Sequence, residues 1–230
     1  MSVFFRRRGK APLVLDAIFS NNSWKTIIAA CQSGSVPDSW VVGNSKAMTI
    51  NGTDYQIDII GKNHDDYSDG SGKAPLTFQL HDCYGIKYAM NTSNTNKGGW
   101  TSCAMRQTYL PNNLSRMPTE VQSGIREVNK LTSAGSKSST INTTADTLFL
   151  LSEIEIFGSA AYSFSGEGTQ YDYYKAVNRR VKRFQNSTFA WWCRSPYRSG
   201  NSGVCLVSEN GDIGTNGASN RFGVSFAFCF

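Results

Sequence analysis

Few side chains of this 230-residue chain could take part in covalent chemistry. It has two histidines, His64 and His81, and neither lies near the pattern of a nucleophile elbow. Nucleophilic catalysis needs a serine or cysteine beside a base that a third group orients. No glycine-rich phosphate loop precedes a predicted helix. The sequence therefore gives no support to nucleophilic catalysis or to nucleotide chemistry.

Three carboxylates, Glu153, Glu155 and Glu167, could pair as in glycosidases. The spacing of Ser152 and Glu155, however, is that of a capping box at the start of a helix. This structural role explains Glu155 better than catalysis does. We therefore predict a protein that is not an enzyme and needs no cofactor.

The polar loop at residues 61–73 carries His64, Asp65, Asp66 and Asp69, whose oxygens could hold a hard cation. The spacing of an EF-hand and its closing glutamate are missing. A turn that hydrogen-bonds to itself is favoured over a metal site, although cation binding by this loop stays open.

The six cysteines show no C-x-x-C spacing and no neighbouring histidine pair: Cys31, Cys83, Cys103, Cys193, Cys205 and Cys229. A zinc site is therefore not predicted. No secretory signal and no apolar run of about 18 residues is found, so neither export nor membrane insertion is expected. We expect synthesis in a reducing cytosol and buried, reduced thiols.

Positive charge is concentrated rather than spread, within a formal net charge of +6. Residues 1–12 form a basic arm in which Phe4 and Phe5 precede Arg6, Arg7 and Arg8. Without the arm the body is only mildly basic, so nucleic-acid binding is not predicted. The arm is either a frayed terminus or, as we favour, a segment that docks on a partner and anchors the protein to its assembly.

Periodicity and turn signals predict the elements that position these residues. Residues 23–34 are predicted as a helix and residues 47–60 as a hairpin about Asn51-Gly52, with a short strand at 76–80. A helix is predicted from Gly98-Gly99-Trp100 through Tyr109. Further predictions are a helix from Pro118 through Leu131, a loop at 133–144, a strand at 147–151, a helical turn at 152–158 and a helix at 171–181.

The segment with Trp191 and Trp192 is predicted to be a central strand covered on both sides, because adjacent side chains point to opposite faces. Ser195-Pro196 should end it. The chain then enters a long polar loop region before its apolar end, residues 222–230. Mixed short strands, short helices and long loops indicate an α+β fold.

The polar region has the composition of an antibody-like binding surface, in which tyrosine gives rigid contact area and asparagine gives adaptable hydrogen bonding. The predicted ligand-binding residues are Tyr197, Arg198, Asn201, Asn216, Asn220 and Arg221. An ordinary polar loop is the alternative.

Several motifs in order carry a resemblance to a known family: Trp40-x-x-Gly43, Ile59-Ile60-Gly61 with Asn63-His64-Asp65, Leu76-Thr77-Phe78, Met90-Asn91, Gly98-Gly99-Trp100 with Met105-Arg106, Leu150-Leu151-Ser152 with Glu155 and Gly158, Trp191-Trp192-x-Arg194-Ser195-Pro196, and Gly223-Val224. Together they resemble an uncharacterised domain family common in Gram-positive bacteria and their prophages. That family looks related to the C-type-lectin-like fold of formylglycine-generating-enzyme-like domains and phage tropism determinants.

The resemblance covers residues 36–230, after the arm (1–12) and an N-terminal helical segment (13–35). Two departures are Cys193, where the family tends to have an aliphatic residue, and Ser225-Phe226, where it tends to have Arg-Pro. The second departure leaves the pairing of the last strand open. The oxidising chemistry of the formylglycine-generating branch is not carried over, because Cys193 and Cys205 are not a close terminal pair.

The resemblance implies a phage or prophage virion protein of the tail or baseplate, assembled in the host cytoplasm. In this reading the arm contacts other virion proteins, and the body, expected to be a homo-oligomer in the particle, binds a host cell-surface glycan or protein. The alternatives are a capsid decoration or other structural virion component, and a surface adhesion domain of the bacterium.

Overall fold

Residues 13–230 are described by the computed structural model of this chain, so the predicted arm, with Phe4, Phe5, Arg6, Arg7 and Arg8, lies outside the described part. The helices are α1 (Trp24–Gln32), α2 (Gly99–Ser102), α3 (Leu110–Leu114), α4 (Thr119–Gly124) and α5 (Glu153–Phe157). The strands are β1 (Ser45–Ile50), β2 (Thr53–Lys62), β3 (Leu76–Leu80), β4 (Val128–Gly135), β5 (Ser138–Asp146), β6 (Arg183–Phe184), β7 (Ser187–Thr188), β8 (Trp191–Pro196), β9 (Gly203–Val207), β10 (Ile213–Gly217) and β11 (Ala227–Cys229).

The larger sheet is antiparallel, with strand order β1-β2-β3-β11. Its hairpin turns at Asn51-Gly52, where both residues have positive φ, so this prediction is confirmed. The last strand, which the sequence left open, pairs with β3 and brings Phe228 beside Phe78.

Helix α1 closes one face of this sheet. Its start is capped as predicted, because the Ser23 side chain accepts a hydrogen bond from the Thr26 N–H. The Trp24 ring lies edge-on to Phe78 and Phe230. The N-terminal helical segment therefore shares one core with the sheet.

The smaller sheet has the order β10-β9-β8, and every residue of β8 is buried. The two-sided burial of the Trp191-Trp192 strand is confirmed. In strand order, however, β8 is an edge, and its free side is covered by irregular chain: Trp192 N–H donates to Gly223 O and Arg194 N–H to Leu151 O. Covering segments of this kind remove the exposed edge as a partner strand would.

The prediction of a continuous polar loop after Tyr197 is wrong, because β9 and β10 form a hairpin there. Val204 and Leu206 of β9 are buried, and they supply the apolar face that stabilises the strand. Glycine, asparagine and serine at the hairpin ends hid this pattern.

The predicted helix from Pro118 through Leu131 is also wrong. Helix α4 ends at Gly124, where an added Cβ would come 2.7 Å from the Ile28 side chain, and β4 begins at Val128. Val121 and Val128 are both buried, but on different elements. Their spacing suited a helix, although burial within β4 alternates instead.

The predicted loop at 133–144 lies within the hairpin of β4 and β5. Its turn uses positive φ at Ser136 and Lys137, which lack the Asn-Gly signal, and the threonines of β5 are good strand formers. The predicted strand at 147–151 is buried from residue 148 but joins the sheet through a single bridge, Phe149 to Ala227.

The predicted helix at 171–181 is replaced by two short 3₁₀ helices, Asp172–Lys175 and Val177–Arg180. Tyr171 and Tyr174 are buried as expected, while Val181 is half-buried. The helix predicted through Tyr109 is divided into α2, a π-helical turn at Met105–Tyr109 and α3.

The architecture is therefore α+β, with small antiparallel sheets, short helices and long connections. All six cysteines fall within the described residues, where each is buried and unpaired. No helix between residues 13 and 230 is long and apolar enough to span a bilayer.

Candidate functional site

Five of the six predicted ligand-binding residues, Tyr197, Arg198, Asn201, Asn216 and Asn220, lie at one end of the smaller sheet. Tyr197 N–H donates to Gly203 O, and Ala218 N–H donates to Ser202 O, so the ends of β8, β9 and β10 meet there. Arg221 instead precedes Phe222 and Gly223, which lie near the start of β8, where Gly223 N–H donates to Ala190 O. We use the name end surface for the whole predicted set: Tyr197, Arg198, Asn201, Asn216, Asn220 and Arg221. Arg198, Asn201, Asn220 and Arg221 are exposed, while Tyr197 and Asn216 are half-buried.

Asn96, which sequence reasoning missed, fixes the loop of the end surface. Its side chain is buried, and Nδ2 donates to the carbonyl oxygens of Gly200 at 3.0 Å and Gly203 at 2.7 Å. Its Oδ1 accepts from the Ser136 N–H of the β4–β5 turn. One amide thus satisfies three backbone groups from two segments, and nothing in the sequence distinguishes it from the nearby Asn94.

Tyr197 is held by close packing. A Cβ at Gly203 would lie 3.0 Å from Tyr197 Cβ, and one at Gly200 would lie 3.0 Å from its ring. On another side the ring centroid is 6.0 Å from that of Tyr162, which is 37% exposed. The two tyrosines form a fixed aromatic patch beside the Arg198 backbone, whose N–H donates to Tyr162 O.

The other side of the end surface is ordered by asparagines. Asn216 Oδ1 accepts from its neighbour Gly217 N–H and from Asn220 Nδ2. Exposed asparagines and the exposed Arg198 thus lie at the same end of the sheet as the aromatic patch. Such a surface can hydrogen-bond and stack on a sugar or a peptide with little ordering cost.

Beneath the end surface, a buried ionic network explains the Trp-Trp-x-Arg-Ser-Pro motif. Arg194 donates to both carboxylate oxygens of Glu155, at 2.5 and 3.0 Å. Lys130 Nζ lies 2.7 Å from both Glu155 Oε1 and Asp65 Oδ1. Two buried cations therefore face two buried carboxylates.

The pKa values in this network keep both acids ionised. Burial alone would raise the pKa of Asp65, but the Lys130 charge and hydrogen bonds from Lys130 and Thr77 outweigh it and lower the pKa to about 2. Burial likewise opposes ionisation of Glu155, and Arg194 and Lys130 reverse that effect and lower its pKa. The network is therefore charged and paired at neutral pH.

The carboxylates considered for glycosidase chemistry each have a structural partner. Ser152 and Glu155 form the predicted capping box of α5. Glu153 accepts the N–H groups of Ala161 and Ser163, and that of Tyr162. Glu167 accepts from the Ser133 N–H and the Ser195 hydroxyl, and burial raises its pKa.

The acidic side chains of the loop at 61–73 point to different partners. Asp65 is in the buried network, Asp66 pairs with Lys73 at 2.9 Å, and Asp69 pairs with Arg126 at 2.5 Å. Within residues 13–230 no cluster of three or more metal-ligating side chains is found. His64 stacks on Tyr171, with ring centroids 3.9 Å apart.

His81 lies in a cavity that the sequence did not predict. We call it the His81 groove; it has a volume of about 380 Å³ and is lined by Gly43, Ser45, Asp58, His81, Tyr173, Asn178, Arg179 and Val181. Strands β1 and β2 form one wall, and the 3₁₀ segment forms the other. His81 Nδ1 lies 2.7 Å from Asp58 Oδ2, which also accepts from the Tyr173 hydroxyl at 2.5 Å.

Lys182 lies buried behind His81, and burial lowers its pKa to about 8. Its Nζ donates to the carbonyl oxygens of Leu80 and His81. The lysine thus holds the backbone that carries the imidazole. Cys31, Cys83 and Cys103 are slightly more exposed than the other three cysteines, and burial raises their pKa values to about 12, which disfavours the nucleophilic thiolate form.

The fold and the end surface together define an α+β domain that presents a pre-ordered polar and aromatic patch. The chain belongs to the family described as Domain of unknown function (DUF6273), whose model matches residues 78–230. The match begins within β3 and includes every element after it, and so covers the end surface and the whole ionic network except Asp65. Neither the curated proteins nor the solved structures include a match.

Proposed function

We propose that this protein is a non-catalytic binding module of a phage or prophage virion, placed on the tail or baseplate. Its end surface would bind a host cell-surface glycan or protein, and residues 1–12 would anchor it to other virion proteins. We also propose that its α+β architecture is a variant of the C-type-lectin-like fold.

The observation that carries the proposal is the pre-ordering of the end surface by Asn96. A loop whose carbonyls are already fixed loses little conformational freedom on binding. Tyr197 and Tyr162 supply aromatic contact, and Arg198 and Arg221 supply exposed charge. Tyrosine and arginine are side-chain types in which binding energy concentrates.

A non-enzymatic role is supported by the use of the acidic side chains. Backbone, serine and arginine donors within the fold hydrogen-bond to the carboxylate oxygens of Glu153, Glu155 and Glu167. Carboxylates committed in this way position the strand beneath the end surface.

The proposal is tested by replacing Tyr197, Arg198 and Arg221 together with alanine and measuring adsorption of assembled particles to host cells. We expect adsorption to fall at least tenfold, since a hot-spot side chain contributes about 2 kcal/mol or more. The control is Lys25→Ala with Arg116→Ala, two exposed cations outside the end surface, which should adsorb normally.

The same experiment separates the alternatives. Normal adsorption with reduced particle robustness would instead indicate a capsid decoration. Absence of the protein from particles, with retained cell binding by the isolated protein, would indicate a bacterial adhesion domain. Deleting residues 1–12 should prevent incorporation into particles while leaving melting unchanged, and normal incorporation would contradict the anchor.

A further inference from the structure

We propose that the His81 groove is a second binding site, which takes an oxyanion, the phosphate or carboxylate group of a polar ligand, between Arg179 and the Nε2 atom of His81. This site shares no residue with the end surface and does not depend on the function proposed for it.

Arg179 is a cation placed at the cavity without an acidic partner. Its guanidinium carbon lies 4.4 Å from the centre of the Tyr173 ring, a cation–π contact that leaves its charge without a counterion. Among residues 13–230 no carboxylate lies within 4.0 Å of it.

Gly43, from the Trp40-x-x-Gly43 motif, makes room for that guanidinium. A Cβ at this position would lie 2.7 Å from Arg179 Nη1 and 2.9 Å from Nη2. Gly43 also has a φ of +95°, which side-chain-bearing residues rarely adopt. The backbone of the groove is thus shaped around the arginine.

The imidazole of His81 is oriented by Asp58, which is 3% exposed. With Nδ1 bound to this carboxylate, Nε2 has no hydrogen-bond partner among the described residues, and His81 lines the cavity. The protonated ring therefore offers Nε2–H to a ligand, while Asp58 balances its charge. Arg179 remains uncompensated, so the groove carries an excess of positive charge that an oxyanion complements.

His81 also lines a neighbouring cavity of about 470 Å³, which has room for the rest of the ligand. Its lining includes five polar side chains that suit hydroxyl groups: Asp54, Gln56, Asp82, Gln185 and Asn186. Arg183 lines it as well. The ligand class that fits both cavities is a hydroxyl-rich molecule carrying one phosphate or carboxylate.

Binding should strengthen as the pH falls through the pKa of His81. The hydrogen bond to Asp58 raises that pKa, and burial opposes it. The charged or titratable groups that face the ring or line its two cavities are Asp54, Tyr55, Asp58, Asp82, Cys83, Tyr173, Arg179, Lys182 and Arg183. An anion at Nε2 favours the protonated ring and so raises the pKa further.

The test uses the Cε1–H NMR signals of the two histidines, because His64 serves as an internal control. The titrants are glycerol 3-phosphate and glucuronate, with chloride at matched ionic strength. We expect a saturable shift and an increased pKa at His81 but not at His64. Arg179→Gln should weaken binding about tenfold, as expected for one charge-assisted hydrogen bond. Arg198→Gln, which removes one charge from the end surface, should leave it unchanged.

Binding of one titrant only would identify whether the source is a phosphate or an acidic sugar, and binding of both would support the shared site. Shifts no larger than those with chloride, for both titrants, would overturn the proposal. Equal affinity in Arg179→Gln would also overturn it, and retained dispersion of the histidine signals shows that the variant is folded.

Discussion

At the scale of single residues, Arg194 does the most to join the parts of the fold. Its guanidinium donates to the Thr132 hydroxyl, to the carbonyl oxygens of Leu131 and Leu150, and to Glu155. A lysine could not reach these planar positions, because its three donors diverge from one point. The arginine thereby ties β8 to β4 and to the start of α5.

Glu155→Gln should destabilise the protein strongly. It leaves Lys130 paired with Asp65 alone and removes the carboxylate that pairs with Arg194, and both cations are buried. Removing one member of a buried ion pair costs about 3–5 kcal/mol, and urea unfolding measures the difference. Glu209→Gln, the same change at an exposed site in the β9–β10 turn, should have almost no effect. Equal midpoints for the two variants would contradict the network.

Acid should weaken the fold through Asp65. Its pKa is about 2 in the folded protein and about 3.9 when unfolded, so ionisation stabilises the fold above pH ~4. This contribution, about 2–3 kcal/mol, is lost as the pH falls from about 4 towards about 2. Unfolding free energy measured across that range should fall less steeply in Asp65→Asn, and an identical slope would rule out this origin.

At the scale of elements, β8 is fixed on both faces by its tryptophans. Trp191 Nε1 donates to Arg180 O and Trp192 Nε1 to Tyr88 O, so each indole joins the strand to a different segment. Both side chains are fully buried. A strand at the edge of its sheet is in this way held as firmly as a central one.

Trp191→Ala and Trp192→Ala should each cost about 3–5 kcal/mol, a large share of the ~5–15 kcal/mol that stabilises a typical domain. Each change removes apolar burial and one indole hydrogen bond; Trp191→Ala leaves Arg180 O without that donor, whereas in Trp192→Ala the Tyr88 carbonyl keeps the Phe222 N–H. Thermal melting measures it, and Phe222→Leu, a milder change at a half-buried ring beside Trp192, is the control. Shifts of only a degree or two in both tryptophan variants would show that the strand is not central to stability.

Asn96 has the corresponding role for the end surface. Asn96→Ala should leave the carbonyls of Gly200 and Gly203 without their side-chain donor, at a cost of about 1–3 kcal/mol. In this variant we expect the amides of residues 197–203 to exchange hydrogen faster than they do in the unsubstituted protein. Exchange of the β2 amides should stay unchanged. Asn210→Ala, at an exposed turn position, is the control. Unchanged exchange at 197–203 would show that Asn96 does not order the loop.

At the scale of the whole molecule, the six thiols are dispersed through one core. Burial raises the pKa of each of them, so oxidation requires the fold to open. Thiol titration of the denatured protein should recover six free cysteines, and titration of the native protein should recover almost none. Fewer than six after denaturation would contradict assembly in a reducing compartment.

The sequence by itself determined the elements whose signals are local. The Asn51-Gly52 hairpin, the Ser23 cap of α1 and the Ser152–Glu155 capping box each depend on residues within a few positions of one another. The burial of the Trp191-Trp192 strand also followed from local sequence, because adjacent side chains of a strand point to opposite faces. The α+β class followed from the mixture of predicted elements.

Only the tertiary structure decided what depends on distant partners. Val128 could extend a helix or begin a strand, and pairing with Asp146 decides for the strand. Lys130 is an ordinary basic residue in the sequence and becomes a buried cation only between Asp65 and Glu155. His81 and Asp58 are 23 positions apart, and strand pairing brings them to 2.7 Å. Such contacts have no local signature, because the chain distance between their members says nothing about their separation in space.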